Sequence, residues 1–230
     1  MRSQKIGFMK PTKKLLINQP AGIGDILFIQ KILKKYAEEY EVYLPVKDSI
    51  SWITGYVPGT MKMEECSGPY DMILDLESAN WHLPDESIME AKYKLAQVDM
   101  TDFMDYIDIT RNTNKESSLY EEIDPVGPYR LVCPWYGTPQ EGSSGMLKMN
   151  IPHSKTMQNI VMDIKEGYTL FDWLRIIESA EEIYTTDSAI MFLIEKYACK
   201  AKKLVAYSRR ASALEVDYLF EEPWEYVCRD

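Results

Sequence analysis

KLLINQPAGIGDILFIQKILKKYAEEYEVYLPV (Lys14–Val46) carries, in order, a strand, a glycine turn, a helix and a second strand. Lys14–Asn18 is a short apolar run stopped by Gln19-Pro20-Ala21-Gly22-Ile23-Gly24-Asp25, the pattern of a buried strand entering a turn. From Asp25 the spacing becomes helical. Ile26, Ile29, Leu33, Tyr36 and Tyr40 share one face, while Lys31, Lys34, Lys35, Glu38 and Glu39 fall elsewhere. Asp25 is expected at the N-cap, where its carboxylate would accept from unpaired backbone N–H groups. Glu41–Val46 reads as the next strand, which predicts a parallel βαβ opening with a right-handed crossover.

Working outward, Tyr70–Leu76 (YDMILDL) reads as a third strand and Asp85–Val98 as a helix. Composition turns polar between Asn112 and Pro128, and the domain boundary is placed there, giving domains 1–115 and 116–230. The second half restarts the same grammar. Tyr129–Trp135 is a strand ending in Tyr136-Gly137-Thr138-Pro139, and Gln140–Lys155 is loop-like. Asn159–Ile164, Glu181–Thr186 and Lys202–Tyr207 read as strands, with helices over Thr169–Ala180 and Asp187–Ala198. Two successive arrays of this kind imply an α/β chain with two parallel-sheet layers facing a cleft.

The bulk numbers exclude several classes. Of 230 residues, 46% are hydrophobic and 27% charged, a globular balance rather than a disordered one. A net charge of −10 excludes a uniformly basic, nucleic-acid-coating surface. No apolar run reaches the length of a membrane span and the first residues lack a signal-peptide core, so a cytoplasmic protein is expected. Cys66, Cys133, Cys199 and Cys228 are far apart and only His82 and His153 are present, which argues for free thiols and no metal site.

Two turns are candidates for chemistry. Gly22-Ile23-Gly24-Asp25 joins a strand to a helix N-terminus, where glycines permit close approach of a ligand. It lacks the third glycine of a dinucleotide fingerprint, and on spacing alone a structural turn with an N-cap is the stronger explanation. Thr186-Asp187-Ser188 also runs from a strand into a helix; its backbone N–H groups and hydroxyls suit a diphosphate, and an N-cap supplied by Asp187 or Ser188 is the competing explanation. Trp135 and Tyr136 stand at a strand end where a base or sugar ring can stack.

Together, these motifs resemble the heptosyltransferase-like glycosyltransferases, which use ADP-heptose and related donors. The resemblance rests on KLLINQPAGIGDILFIQKIL, on YDMILDL and on FDWLRIIESAEEIYTTDSAIMFLIEKY, and covers about two-thirds of the chain. It implies two Rossmann-like domains in a compact GT-B-like arrangement, with the acceptor on the first and a nucleotide-sugar donor on the second. It makes Asp25 the general base, with Gly22, Ile23 and Gly24 as the acceptor-side loop. Thr186, Asp187 and Ser188 then hold the donor diphosphate, joined by Gly137 and Thr138 and by Arg209 and Arg210. The reaction implied is inverting transfer to a hydroxyl of a glycan or of a hydroxymethylated DNA base, without metal or other cofactor. The family continues Asp-Ser-Gly-x-x-His, whereas this chain has Ala189 and Phe192 at those positions. A non-catalytic nucleotide- or sugar-binding relative and a sugar-nucleotide epimerase are the alternative readings.

Overall fold

The computed structural model describes residues 13–19, 22–79, 87–137, 146–198, 200–209 and 217–228. Eleven strands and six α-helices are defined among them. The first sheet contains β1 (Lys13–Asn18), β2 (Tyr40–Val46), β3 (Thr60–Lys62) and β4 (Met72–Asp75), in the order β3-β2-β1-β4. All three of its pairings are parallel. The second contains β5 (Tyr129–Cys133), β8 (Gln158–Val161), β9 (Glu182–Thr186), β10 (Lys203–Tyr207) and β11 (Trp224–Val227). Its order is β11-β10-β9-β5-β8, again parallel throughout. A small antiparallel pair, β6 (Trp135–Tyr136) and β7 (Leu147–Lys148), extends from the end of β5.

The helices are α1 (Ile23–Phe28), α2 (Gln30–Tyr36), α3 (Ile88–Leu95), α4 (Thr113–Ile123), α5 (Leu174–Ser179) and α6 (Ile190–Tyr197). Alternation along the strands turns Leu15, Ile17, Leu44 and Leu74 of the first sheet, and Leu131, Ile183 and Leu204 of the second, toward one side. These residues join the apolar faces of all six helices in one buried cluster. Phe28 of α1 meets Phe192 of α6 within it, ring centroids 6.2 Å apart. The core therefore runs without interruption from one sheet to the other. Parallel sheets are usually covered on both faces; here Ile73, on β4, is 63% exposed.

Polar contacts reinforce the join. Asp172 is fully buried and accepts from Thr169 N at 2.7 Å, Thr169 Oγ1 at 2.9 Å and Tyr56 Oη at 2.9 Å. Arg111, just before α4, binds Glu116, and its Nη2 also reaches Glu178 Oε2 at 3.0 Å. Glu116 is 2% exposed, so Arg111 supplies the charge compensation that a buried carboxylate requires.

Several expectations are corrected. The helix expected from Asp25 to Tyr40 is two short helices, interrupted at Ile29 (φ −84°, ψ 6°), and Tyr40 opens β2. Gly22, not Asp25, is the N-cap of α1, with no side-chain cap; Asp25 lies inside the first turn, where a carboxylate still favours the helix dipole. The Thr169–Ala180 helix begins as a 3-10 turn over Leu170–Trp173. The polar stretch Asn112–Pro128 contains α4, the expected loop Gln140–Lys155 contains β7, and β3 and β11 are additional strands. Among the described residues no helix separates β5 from β8.

Candidate functional site

In open α/β sheets ligands collect beyond the C-terminal strand ends where strand order reverses. In the first sheet that reversal lies between β1 and β4, and in the second between β5 and β9. The candidate turns follow these strands. Both gaps are laced by side chains: Asn18 Nδ2 donates to Asp75 Oδ1 at 2.9 Å, and Thr186 Oγ1 donates to the Trp135 carbonyl at 3.1 Å.

The two turns meet. A Cβ added to Gly24 would lie 3.5 Å from Ala189 Cα and 3.5 Å from Phe192 Cε2, ordinary van der Waals contact. Gly24 of α1 thus lies against the start of α6, at a distance that a Cβ would also tolerate. The glycine pair does not make a left-handed turn, because Gly22 is extended (φ −77°, ψ 178°) and Gly24 is helical. Gly137, by contrast, has φ 96°, a conformation that favours glycine. Thr138 and Arg210 lie outside the described residues.

Asp25 is partly exposed, its side chain at 27%, and one of its oxygens accepts from Lys92 Nζ. The Lys92 side chain is only 1% exposed. Lys92 sits on α3, which is fixed by a capping box between Ser87 and Glu90 and by Tyr93 Oη donating to the Phe28 carbonyl at 2.7 Å. Sequence reasoning missed this lysine, although a signal existed. Met89, Tyr93 and Ala96 mark the apolar stripe of α3, and Lys92 falls on the same face.

On the other turn, Asp187 is 7% exposed. Its Oδ1 accepts from the backbone N of Arg209 at 3.0 Å and from Arg209 Nε at 2.7 Å. Burial pushes the Asp187 carboxyl above its ordinary value, and Arg209 opposes the shift. Neither Asp187 nor Ser188 caps α6, whose N-cap is Ala189 without a side-chain bond. Ser188 instead lies within 3.4 Å of Thr186 Oγ1. Asp187 and Arg209 therefore form a tied pair at the ends of β9 and β10, beside the start of α6.

Phe192 occupies the position where the resembled family has histidine. It is 5% exposed and packs on Phe103 and Phe220, centroids 6.2 and 5.3 Å away. The position therefore serves the core that joins the two sheets. Two buried polar atoms on the strand ends lack hydrogen-bond partners among the described residues, Gln19 Oε1 after β1 and Trp135 Nε1 on β6. Buried polar groups are seldom left so, which makes both candidates for ligand contact. Lys148 covers the Trp135 ring, its Nζ 5.1 Å from the centroid. Among the described residues no three His, Cys, Asp or Glu side chains are grouped to hold a metal.

No protein-family model and no curated protein matches the sequence. Solved structures do match. The glycosyl transferase family 9 protein of Veillonella parvula aligns over 87% of this chain and 83% of its own, with a TM-score of 0.55 and 10% identity. ADP-heptose LPS heptosyltransferase II of E. coli aligns over 93% and 90%, with a TM-score of 0.55 and 12% identity. The chain has the heptosyltransferase fold. TibC of enterotoxigenic E. coli, an iron-containing dodecameric glycosyltransferase, aligns over 86% of this chain and 59% of its own, with a TM-score of 0.51 and 9% identity. TibC has also been solved with ADP-D-β-D-heptose. The resemblance drawn from the two turns and their flanking strands thus holds for the fold across most of the chain. Among the described residues no helix is long and apolar enough to cross a membrane.

Proposed function

We propose that this chain is a glycosyltransferase that moves a sugar from a nucleoside-diphosphate donor to an acceptor hydroxyl, with inversion and without a metal. The observation that carries the reading is the meeting of the two turns: Gly24, after β1, lies against Ala189, which follows the Asp187-Ser188 turn after β9, on a heptosyltransferase fold. Residues 1–115 then form the acceptor side and 116–230 the donor side of a GT-B-like pair of Rossmann-like units sharing one core. The donor is a nucleotide sugar of the ADP-heptose kind, and the net charge of −10 favours a glycan acceptor over DNA.

In the reaction the acceptor oxygen attacks the anomeric carbon from the face opposite the nucleotide. A new C–O bond forms as the bond from that carbon to the diphosphate oxygen breaks, and the diphosphate leaves with the electron pair. The acceptor proton passes to the free oxygen of Asp25, as general-base catalysis requires. Developing charge on the diphosphate is met by Arg209, held in place by Asp187, by the first N–H groups of α6 and by the Ser188 hydroxyl, while Thr186 braces the turn through its bond to the Trp135 carbonyl. Gly137, Thr138 and Arg210 complete the donor side of this proposal, and Gly22, Ile23 and Gly24 its acceptor side.

The test is release of nucleoside diphosphate from a panel of nucleotide sugars including ADP-D-β-D-heptose, with glycan acceptors added in turn. Turnover that is lost in Asp25→Asn, measured below that variant's melting temperature, supports the reading. Binding of a nucleotide sugar with no release under any acceptor favours a non-catalytic module. That second reading draws on Phe192, which puts an apolar ring where the family carries a polar one.

A further inference from the structure

Resting on that reading, we infer that Lys92 is a positioning residue for the general base: it fixes one carboxylate oxygen of Asp25 and leaves the other for the acceptor hydroxyl. A lysine almost wholly withdrawn from water needs a reason, because its ammonium forfeits hydration that only a matched partner restores. Among the described residues the side-chain partner of Lys92 is Asp25 alone.

The arrangement is asymmetric. Lys92 is sealed at 1% exposure, whereas the Asp25 side chain keeps 27%. The pair therefore offers solvent and substrate a carboxylate whose inner oxygen is already bonded. The lysine cannot drift from this post, since its helix is held at its start by the Ser87–Glu90 capping box and in its middle by the Tyr93–Phe28 bond. Asp25 in turn stands on α1, next to the contact with Ala189 at the opposing turn.

A carboxylate free to rotate samples orientations that miss the acceptor, and misplacement of this kind costs rate rather than binding. Lys92 removes that freedom by holding one oxygen in place. It takes no part in bond making. The proton released as the acceptor attacks goes to Asp25, and Lys92 neither gives nor takes one.

The experiment uses the full chain with ADP-D-β-D-heptose and the other nucleotide sugars of the panel, reading released nucleoside diphosphate under steady-state conditions. Lys92→Met preserves apolar volume and leaves a carboxylate that water can reach, so the variant is expected to fold with a melting temperature close to wild type. Its kcat is expected to fall about 100-fold with donor KM within about threefold of wild type, because the lysine acts on the base and not on the donor. Lys92→Arg, which retains the charge, should recover part of the loss.

A Lys92→Met enzyme with wild-type kcat, beside an inactive Asp25→Asn, overturns the positioning role while the transferase reading stands. A loss of rate that only tracks the fraction of folded protein, or that arginine does nothing to restore, also overturns it. Absence of turnover by the wild-type chain with every donor and acceptor overturns both.

Discussion

Replacing Asp25 by asparagine removes the counter-charge of a lysine that has no access to water. Lys92 is 1% exposed and its carboxylate partner 27% exposed, so the two halves of the pair are not equivalent. Asparagine can still accept a hydrogen bond, but it leaves a full positive charge enclosed by α1 and α3. Breaking a buried pair in this way costs about 3–5 kcal/mol. For a chain of 230 residues this corresponds to a fall in melting temperature on the order of 10 °C. The reverse substitution differs: Lys92→Met leaves a carboxylate that water can solvate, and its effect should lie within about 1 kcal/mol of zero. The double variant Asp25→Asn/Lys92→Met should therefore regain most of what Asp25→Asn loses. Urea midpoints of the four proteins at neutral pH close the cycle. An Asp25→Asn protein as stable as wild type, with no gain on adding Lys92→Met, would refute the claim that Lys92 depends on Asp25 for its charge.

Three further outcomes are expected. Arg111→Ala should lower stability by about 2–3 kcal/mol, because Glu116 at 2% exposure loses its counter-ion; an unchanged urea midpoint would contradict this. Asp187 has a raised carboxyl pKa in the fold, so its contribution to stability is full below 3.8 and is lost as pH rises through the raised value. Asp187→Asn should accordingly melt with wild type below pH 3.8 and above it at neutral pH; a gap that does not change with pH would count against burial as the cause. Cys133 is 2% exposed and burial raises its thiol pKa, whereas Cys228 is exposed. Peptide mapping after mild alkylation should find Cys228 modified before Cys133, and Cys133 only on unfolding; equal labelling rates would show that the C-terminal end of β5 opens readily.

Much of the fold is legible in the sequence because strands and turns announce themselves locally. Lys14–Asn18, Glu41–Val46 and Lys202–Tyr207 each lie within a residue of the observed strand at both ends, since short apolar runs bounded by polar or glycine-rich stretches have few other uses. The two turns are legible for the same reason, and their order along the chain identifies the fold. Illegible are the contacts that tertiary packing decides. Nothing local directs Lys92 to Asp25 or Arg209 to Asp187, because both pairings cross between separate elements. The helix expected from Asp25 starts at Ile23 and breaks at Ile29 despite an unbroken apolar period, and Lys31, placed by that period away from the apolar face, is buried against Asp102. Phe192 reads in sequence as a lost polar residue and in structure as part of an aromatic cluster with Phe28, Phe103 and Phe220. A substitution of this kind gains its meaning only from its neighbours.

The central claim is that the meeting of the β1 and β9 turns binds a nucleotide sugar. Its most direct test is the melting temperature of the purified chain with each of a panel of nucleotides and nucleotide sugars, ADP-D-β-D-heptose among them, with and without EDTA. A ligand at about 100 times its Kd adds roughly 2.7 kcal/mol, which for a chain of this size raises the melting temperature by several degrees. The account predicts such a rise with one nucleotide sugar, insensitive to EDTA. No rise with any of them would contradict it.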